Sequence, residues 1–455
     1  MKARKWSAIL ICVMLVGSLL AACGKSNNGN SGSSATSSSS AATNETSKET
    51  GTEAQQVKLT ALIGNVNEIV SSAKALIAAF EKKNPNIKVE IELTPGGVEG
   101  ENLLKTKLAT GDAGDIIFFN SGSVMQALNP EKNFVDLTNE PFQANIYDSF
   151  KQTVTANGKV YGAPYQSTAA GGWFYNKKVY ADLGLSVPKT WDELMANVKK
   201  IKEAGNGVAP IIGTYKDSWT TQLPLLADYY NVQAQAPSFA ADYTANKAKY
   251  ATTPAALRSF EKLQDISGNM NKDYLATTFD AGIKMLAEGK GAHYPMLSMI
   301  SATIAQNHPD KINDIGFFAQ PGDSADQNGL TVWMPSAVYV YQNAKHLDEA
   351  KLFANFVGSV EGMAAVGTVS KPVGPYVVKG AQLPADTPQV VKDMLPYFDN
   401  GKTAPALEFL TPVKGPNLPS ISVEVGAGQR SAEDAAKAYD KDVEKQAQQL
   451  GLAGW

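Results

Sequence analysis

Between residues 57 and 119 the chain reads strand, helix, strand, helix, strand, and no other feature restricts its fold as much. Val57-Lys58-Leu59-Thr60-Ala61-Leu62-Ile63 alternates, then turns apolar before Gly64-Asn65 breaks it, as suits a strand. Residues 71–82 place Ala75, Leu76, Ala79 and Phe80 at helical spacing, and Asn84-Pro85-Asn86 stops them. Residues 87–93 alternate cleanly, and a second helix over 101–109 ends at Gly111. Asp115-Ile116-Ile117-Phe118-Phe119 then has almost no polar member, the pattern of a parallel strand covered on both faces. A chain so ordered builds α/β layers.

The pattern resumes after Pro164. Strands are expected over 172–175, 209–212 and 315–318, and helices over 254–265, 277–289, 347–357 and 431–450. Pro188-Lys189-Thr190-Trp191-Asp192-Glu193-Leu194 opens another helix, with Thr190 as N-cap and Glu193 three residues on as a capping box. That placement makes Trp191 a packing residue. No repeat of fixed period is present. Two α/β lobes account for these elements, although counting elements leaves their boundaries open.

The first residues carry an address. Lys2, Arg4 and Lys5 precede an apolar stretch over 8–20, and Leu20-Ala21-Ala22-Cys23 follows as a small-residue cleavage site. The stretch falls short of the roughly 20 residues that a bilayer span needs. The run ending in Cys23 resembles the lipobox of bacterial lipoproteins. That resemblance implies removal of residues 1–22 as a signal peptide, a lipid on the Cys23 thiol, and a protein held to the cell membrane outside the cytoplasm. An ordinary secreted protein with an incidental cysteine is the alternative. Losing three positive charges with the signal takes the formal charge from −3 to −6, so the body has no electrostatic reason to bind nucleic acid. Cys12 and Cys23 are the only two cysteines, which leaves the mature chain without a thiol for a disulfide or a nucleophile. Stability then rests on the core, and a body of this length can bury two. Residues 24–56 are mostly Ser, Asn, Gly, Thr, Ala and Glu, with no aromatic residue. Such a segment cannot repay its ordering entropy, and with Cys23 it reads as a flexible tether of about 30 Å mean reach.

Several stretches together resemble the extracellular solute-binding proteins of ABC importers, in the carbohydrate-binding branch that includes maltose-binding protein. The stretches are Phe80-Glu81-Lys82-Lys83-Asn84-Pro85-Asn86-Ile87-Lys88-Val89, Leu108-Ala109-Thr110-Gly111-Asp112-Ala113-Gly114-Asp115-Ile116, and Tyr161-Gly162-Ala163-Pro164-Tyr165 followed by Trp173-Phe174-Tyr175-Asn176-Lys177. Leu183-Gly184-Leu185, Pro188-Lys189-Thr190-Trp191 and Phe353-Ala354-Asn355-Phe356-Val357 continue the likeness, which covers nearly all of residues 57–450. The resemblance implies a periplasmic-binding-protein-like α/β fold with two discontinuous lobes and a hinge. Lobe one would take residues 57–165 and 322–370, and lobe two 166–321 and 371–455. A ligand would be gripped as the lobes close. The implied partners are a carbohydrate, the membrane through the lipid on Cys23, and the transmembrane subunits of an ABC importer, around a monomer that needs no cofactor.

A sugar offers ring faces and hydroxyls, so its site needs aromatic rings beside amide and carboxylate groups. Of the six tryptophans, Trp6 lies in the signal, Trp191 is assigned to packing and the terminal Trp455 is expected to fray. Trp173, Trp219 and Trp333 remain as ligand platforms. Asn65, Asn67 and Glu68 follow the first strand, and Asn120 and Ser121 follow the strand at 115–119, at a carboxyl end where open α/β sheets bind ligands. Gln166 follows the first expected hinge crossing, and Glu408 is a candidate from the last third of the chain. Where many members of the family carry Gly-Ser-Trp, this chain has Ala292-His293-Tyr294-Pro295-Met296-Leu297-Ser298-Met299, with Met299 near the place of the missing tryptophan. Tyr294 is the substitute aromatic face, with core packing as its alternative.

Catalytic signatures are lacking. His293, His308 and His346 show no metal-ligand spacing, and neither a Walker loop nor a G-x-S-x-G elbow occurs. A glycosidase needs only two carboxylates, which a chain with 44 acidic residues could supply. The whole-chain resemblance favours a non-enzymatic sugar receptor. A binding protein for another small solute and a surface glycan-degrading enzyme are the alternatives.

Overall fold

The computed structural model describes residues 56–95 and 97–455. The expected signal segment, Cys23 and nearly all of the expected tether lie outside the described residues. None of the described helices is long and apolar enough to cross a membrane.

The described residues build an α/β fold of two lobes, each around its own sheet. In the first, Val57–Gly64 lies between Ile87–Thr94 and Ile116–Phe119 and runs parallel to both. Ala337–Val340 joins antiparallel to Ile116–Phe119, and Gly162–Pro164 joins antiparallel beyond it. The second sheet centres on Ala169–Asn176. One side of that strand pairs with Gly291–Leu297, which runs parallel to Ala209–Ile211. Its other side is shared between Ile315–Ala319 and Leu330–Trp333, and Thr403–Pro405 lies parallel beyond the latter.

Each sheet therefore draws on separated stretches of chain. Leu330–Trp333, expected in lobe one, pairs Thr331 with Gly171 and Thr331 with Ala404 in the second sheet. The chain returns to the first sheet between Trp333 and Ala337. Residues beyond 371, expected in lobe two, still run against the first lobe: Tyr147 N donates to Val377 O at 3.0 Å, and Ile146 bridges Val378. Near the first crossing, Thr168 Oγ1 donates to Pro375 O at 2.8 Å, which fastens the crossing segment to this late stretch.

Helices cover the sheets with one apolar face each. Asn67–Lys83 buries Ala73, Leu76, Ile77 and Phe80 at three- and four-residue spacing, and Asn84 Nδ2 caps it by donating to Phe80 O at 3.0 Å. Phe80 meets Phe353 edge-on at 5.0 Å, which joins helix Leu347–Val357 to the same core. In the second sheet the two-residue period of the central strand sends Trp173 to one face and Phe174 to the other. Trp173 stacks on Phe318 and meets Trp191 edge-on at 6.1 Å, while Phe174 meets Phe317 at 5.1 Å. Trp191 is buried, as its capping position predicts, and its Nε1 donates to Asp265 at 2.9 Å. Thr190 Oγ1 accepts from Glu193 N at 3.2 Å, and Glu193 reaches back to Lys189 N at 2.7 Å, a box displaced by one residue. The last helix, Ala432–Gln449, is capped by Ser431 and buries Tyr439 and Val443. Trp455 does not fray. Its Nε1 donates to Thr244 O at 2.8 Å, and the Lys249 ammonium lies 4.3 Å from its ring.

Candidate functional site

The strand registers bring two sheet edges to the same place. In the first sheet the carboxyl ends of Val57–Gly64 and Ile116–Phe119 lie beside the start of Ala337–Val340, since Phe119 pairs with Ala337 and Ala337 with Pro164. The edge is thus carried by Asn65 to Glu68, Asn120, Ser121, Ser336 and the segment leading to Gln166. In the second sheet Ala169 pairs with Trp333, Gly171 with Leu297 and Ile211 with His293. Its corresponding edge carries Gln166 to Thr168, Ser298 and Met299, Trp333, and the turns after Ile211 and Pro405. The connections 165–168 and 334–336 join the two edges directly. Both lobes accordingly offer strand ends and turns to one cleft, where side chains can be aimed without breaking a ladder.

The first edge is polar. Asn65, Asn67 and Glu68 are exposed at the start of helix Asn67–Lys83, where Asn65 N donates to Thr94 O at 2.8 Å. Asn120 is exposed, with its Oδ1 accepting from Ser336 Oγ at 3.1 Å and its carbonyl from Tyr339 OH at 2.9 Å. A cavity of about 270 Å³ opens beside it, walled by Thr94, Leu104, Phe119, Asn120, Tyr165 and Ser336. Burial pushes the Tyr165 phenol far above its ordinary range, against the opposing hydrogen bond from Ser336, so it stays neutral. Gln166 is half-buried on the crossing. Ser121 is buried, and its hydroxyl is spent on Pro335 O at 2.8 Å, where it braces the second crossing.

The second edge supplies rings. Trp219 is 38 % exposed in the turn Ser218–Gln222 and leans on Phe279, with ring centroids 5.2 Å apart. Trp333 is half-buried and donates from Nε1 to Glu408 Oε1 at 2.6 Å, while Glu408 Oε2 accepts from Lys414 Nζ at 2.8 Å. The turn Leu407–Phe409 also touches the first lobe: Ser123 Oγ donates to Glu408 O at 2.9 Å. Gly122 adopts φ +80°, and a Cβ there would lie 2.8 Å from Phe409 Cα, so only glycine lets the two lobes meet so closely.

Nine of the eleven expected ligand-contact residues therefore lie along these edges, while Trp173 and Tyr294 stand away from the cleft. Trp173 is fully buried, with Nε1 donating to Gln320 Oε1, because a strand covered on both faces turns every side chain into a core. Tyr294 is 1 % exposed, and its hydroxyl is 3.0 Å from Thr214 Oγ1 beside a void of about 10 Å³, too small for a ligand. Core packing, its alternative, is what the structure shows. The edge also includes residues that were not expected. Met299, 46 % exposed, and Ala302 face Asn67, Glu68 and Ser71 across an opening of about 530 Å³. Met299 follows strand Gly291–Leu297, so the strand-end rule that picks Asn120 would have found it. Ser336 and Lys414 carry no such signal. Among the described residues, no group of three or more His, Cys, Asp or Glu could hold a metal ion.

Comparison with known proteins places this geometry. Residues 64–364 match the model of the bacterial extracellular solute-binding protein family. A multiple sugar-binding protein of Streptococcus mutans is 26 % identical over 411 residues, covering 88 % of this chain and 89 % of its own. The melibiose/raffinose/stachyose-binding protein MelE of Bacillus subtilis is also 26 % identical, over 72 % of this chain and 76 % of its own. The structure of apo RafE from Streptococcus pneumoniae superposes with a TM-score of 0.71 at 20 % identity, over 86 % of this chain and 98 % of RafE. The chain belongs to the bacterial extracellular solute-binding protein family, and it is a binding protein rather than an enzyme.

Proposed function

We propose that this member of the family captures an oligosaccharide between its lobes and delivers it to the membrane subunits of an ABC importer. The observation that carries the reading is that Trp219, Trp333, Asn67, Glu68, Asn120 and Gln166 all sit at strand ends or in the segments that follow them, on two sheets joined by the crossings 165–168 and 334–336. Rings for the apolar faces of a pyranose and amide or carboxylate oxygens for its hydroxyls are the complement a sugar needs. Two relatives, a multiple sugar-binding protein and a melibiose/raffinose/stachyose-binding protein, are named for the same solute class. Lobe one would comprise residues 57–165 with 337–378, and lobe two 166–333 with the remainder, which hinge at the crossings. The protein would act as a monomer held to the membrane by a lipid on Cys23, a reading supported by the lipobox pattern of residues 20–23.

A thermal-shift screen over mono- and oligosaccharides, polyols, amino acids and polyamines tests the proposal. A solute that binds only the folded state adds about 2.7 kcal/mol at a hundred times its Kd. Stabilisation by one or a few oligosaccharides, without product on chromatography, is the expected result. Stabilisation by an amino acid or polyamine alone would replace the sugar reading with the non-sugar one. Metabolic labelling with palmitate, with Cys23→Ser as the control, tests the anchor.

A further inference from the structure

We infer that Glu408 is a positioning residue which, together with Gly171, fixes the ring of Trp333 as a preset stacking surface, and that it is not itself an acceptor for ligand hydroxyls. The inference rests on the proposed stacking of a sugar ring on Trp333.

An indole has a single hydrogen-bond donor, so whatever accepts from Nε1 sets how the ring lies in its own plane. Here the acceptor is Glu408 Oε1 at 2.6 Å, a bond to a charged group, shorter and stronger than a neutral one. The other carboxylate oxygen accepts from Lys414 Nζ at 2.8 Å, which leaves both oxygens engaged inside the protein. The turn that carries Glu408 is fastened to the same strand as Trp333, because Ala406 N donates to Val332 O at 2.9 Å.

The opposite end of the indole is held by absence. A Cβ on Gly171 would lie 2.6 Å from Cζ3 and 3.2 Å from Cη2 of Trp333, and 2.9 Å from Ala227 Cβ. The benzene edge of the ring thus occupies the space that the missing side chain leaves. Gly171 sits opposite Thr331 on the neighbouring strand, so the gap belongs to the sheet and not to a mobile loop. Held at Nε1 by a carboxylate and at Cζ3 by a glycine gap, the ring is oriented before any ligand arrives. That saves ordering cost on binding, which is how a preset platform raises affinity.

Glu408→Ala, Glu408→Gln, Gly171→Ala and Trp333→Ala are compared in two measurements on the whole protein. One is the fluorine spectrum of fluorotryptophan-labelled protein, in which Trp333→Ala identifies the Trp333 resonance. The other is titration calorimetry with whichever of melibiose, raffinose, stachyose and diacetylchitobiose gives heat. Glu408→Ala should shift and broaden the Trp333 resonance and weaken binding about tenfold. Glu408→Gln, whose carbonyl can still accept from Nε1, should restore most of both. Gly171→Ala should shift the same resonance. An unmoved resonance in Glu408→Ala overturns the inference, whether or not binding falls, since lost affinity would then come from direct contact with ligand. Wild-type affinity in Glu408→Ala, with affinity lost in Trp333→Ala, overturns it as well. If none of the four sugars gives heat, or Trp333→Ala binds normally, the stacking reading fails for this residue, and the resonance alone decides whether Glu408 and Gly171 hold the ring.

Discussion

The Tyr180 hydroxyl donates to Nε2 of His293 across 2.7 Å, in a site where the imidazole has no exposed surface. The roles follow from the other nitrogen. Nδ1 lies 2.8 Å from Pro210 O, an oxygen that can only accept, so Nδ1 carries the proton and Nε2 is the acceptor. Both nitrogens of a neutral ring are thereby satisfied.

Burial pushes the His293 pKa down from 6.5 to about 4, against the smaller opposing effect of the Pro210 hydrogen bond. Above the ordinary histidine range neither folded nor unfolded chain protonates this ring, and its full contribution is present. As pH falls from there toward 4, the unfolded chain takes a proton that the folded one refuses. Stability should drop by about 1.4 kcal/mol per pH unit across that window from this group. Carboxylates titrate nearby, so the comparison is between wild type and His293→Gln by urea unfolding at several pH values. The variant should be less stable near neutrality and show a shallower fall on acidification. Parallel curves would mean that His293 does not contribute the slope.

Asp228 and Lys262 form a buried ion pair at 2.7 Å, with side chains 1 % and 2 % exposed. Asn231 and Ser259 also donate to the carboxylate at 2.7 Å, and Lys262 donates to Pro321 O at 3.0 Å. Lys262→Met removes the paired cation and leaves a buried carboxylate without its counter-charge, which should cost about 3–5 kcal/mol. Adding Asp228→Asn should recover a large part of that loss. The measurement is chemical unfolding of both single variants and the double, and additive losses would count against coupling.

Asp440 accepts from Tyr250 N at 2.8 Å and Ala251 N at 2.9 Å, tying the terminal helix to the segment before helix Pro254–Ile266. Asp440→Ala would leave two amides without their partner, at a cost of about 2–3 kcal/mol. Asp440→Asn keeps an acceptor and should fall between the variant and wild type in urea midpoint. Equal losses in the two would show that charge, not acceptance, matters.

What the sequence made legible follows from which forces are local. Strands Val57–Gly64 and Ile87–Thr94 begin where alternation begins, and helices Pro254–Ile266 and Leu347–Val357 fall on their apolar spacing, because period and caps are set by neighbours in the chain. Thr190 announces its helix for the same reason. Trp173, expected as a ligand platform, belongs to the core instead, since a strand covered on both faces has no polar alternation to mark which side chains face a ligand. The bond between Trp333 and Glu408 spans 75 positions and arises only when Leu330–Trp333 and Thr403–Pro405 pair. Trp455 reads as a free end until Tyr243, Thr244 and Lys249 are brought beside it.

Trp219 and Trp173 make the final contrast. Trp219 stands 38 % exposed with Phe279 as its ring neighbour, whereas Trp173 is fully buried against Phe318, Trp191 and His293. Trp173→Ala opens a cavity in a packed core and should cost about 3–5 kcal/mol of stability. Trp219→Ala removes a ring whose exposed part has no packing to lose, and should stay within about 1 kcal/mol of wild type. Binding should invert the order. A ring that covers a sugar face contributes through desolvation of that face, so Trp219→Ala should weaken affinity by about tenfold or more. Calorimetry at a temperature where both variants are folded separates the two effects. A large stability loss in Trp219→Ala with unchanged affinity would make it a core residue and remove one platform from the proposed site.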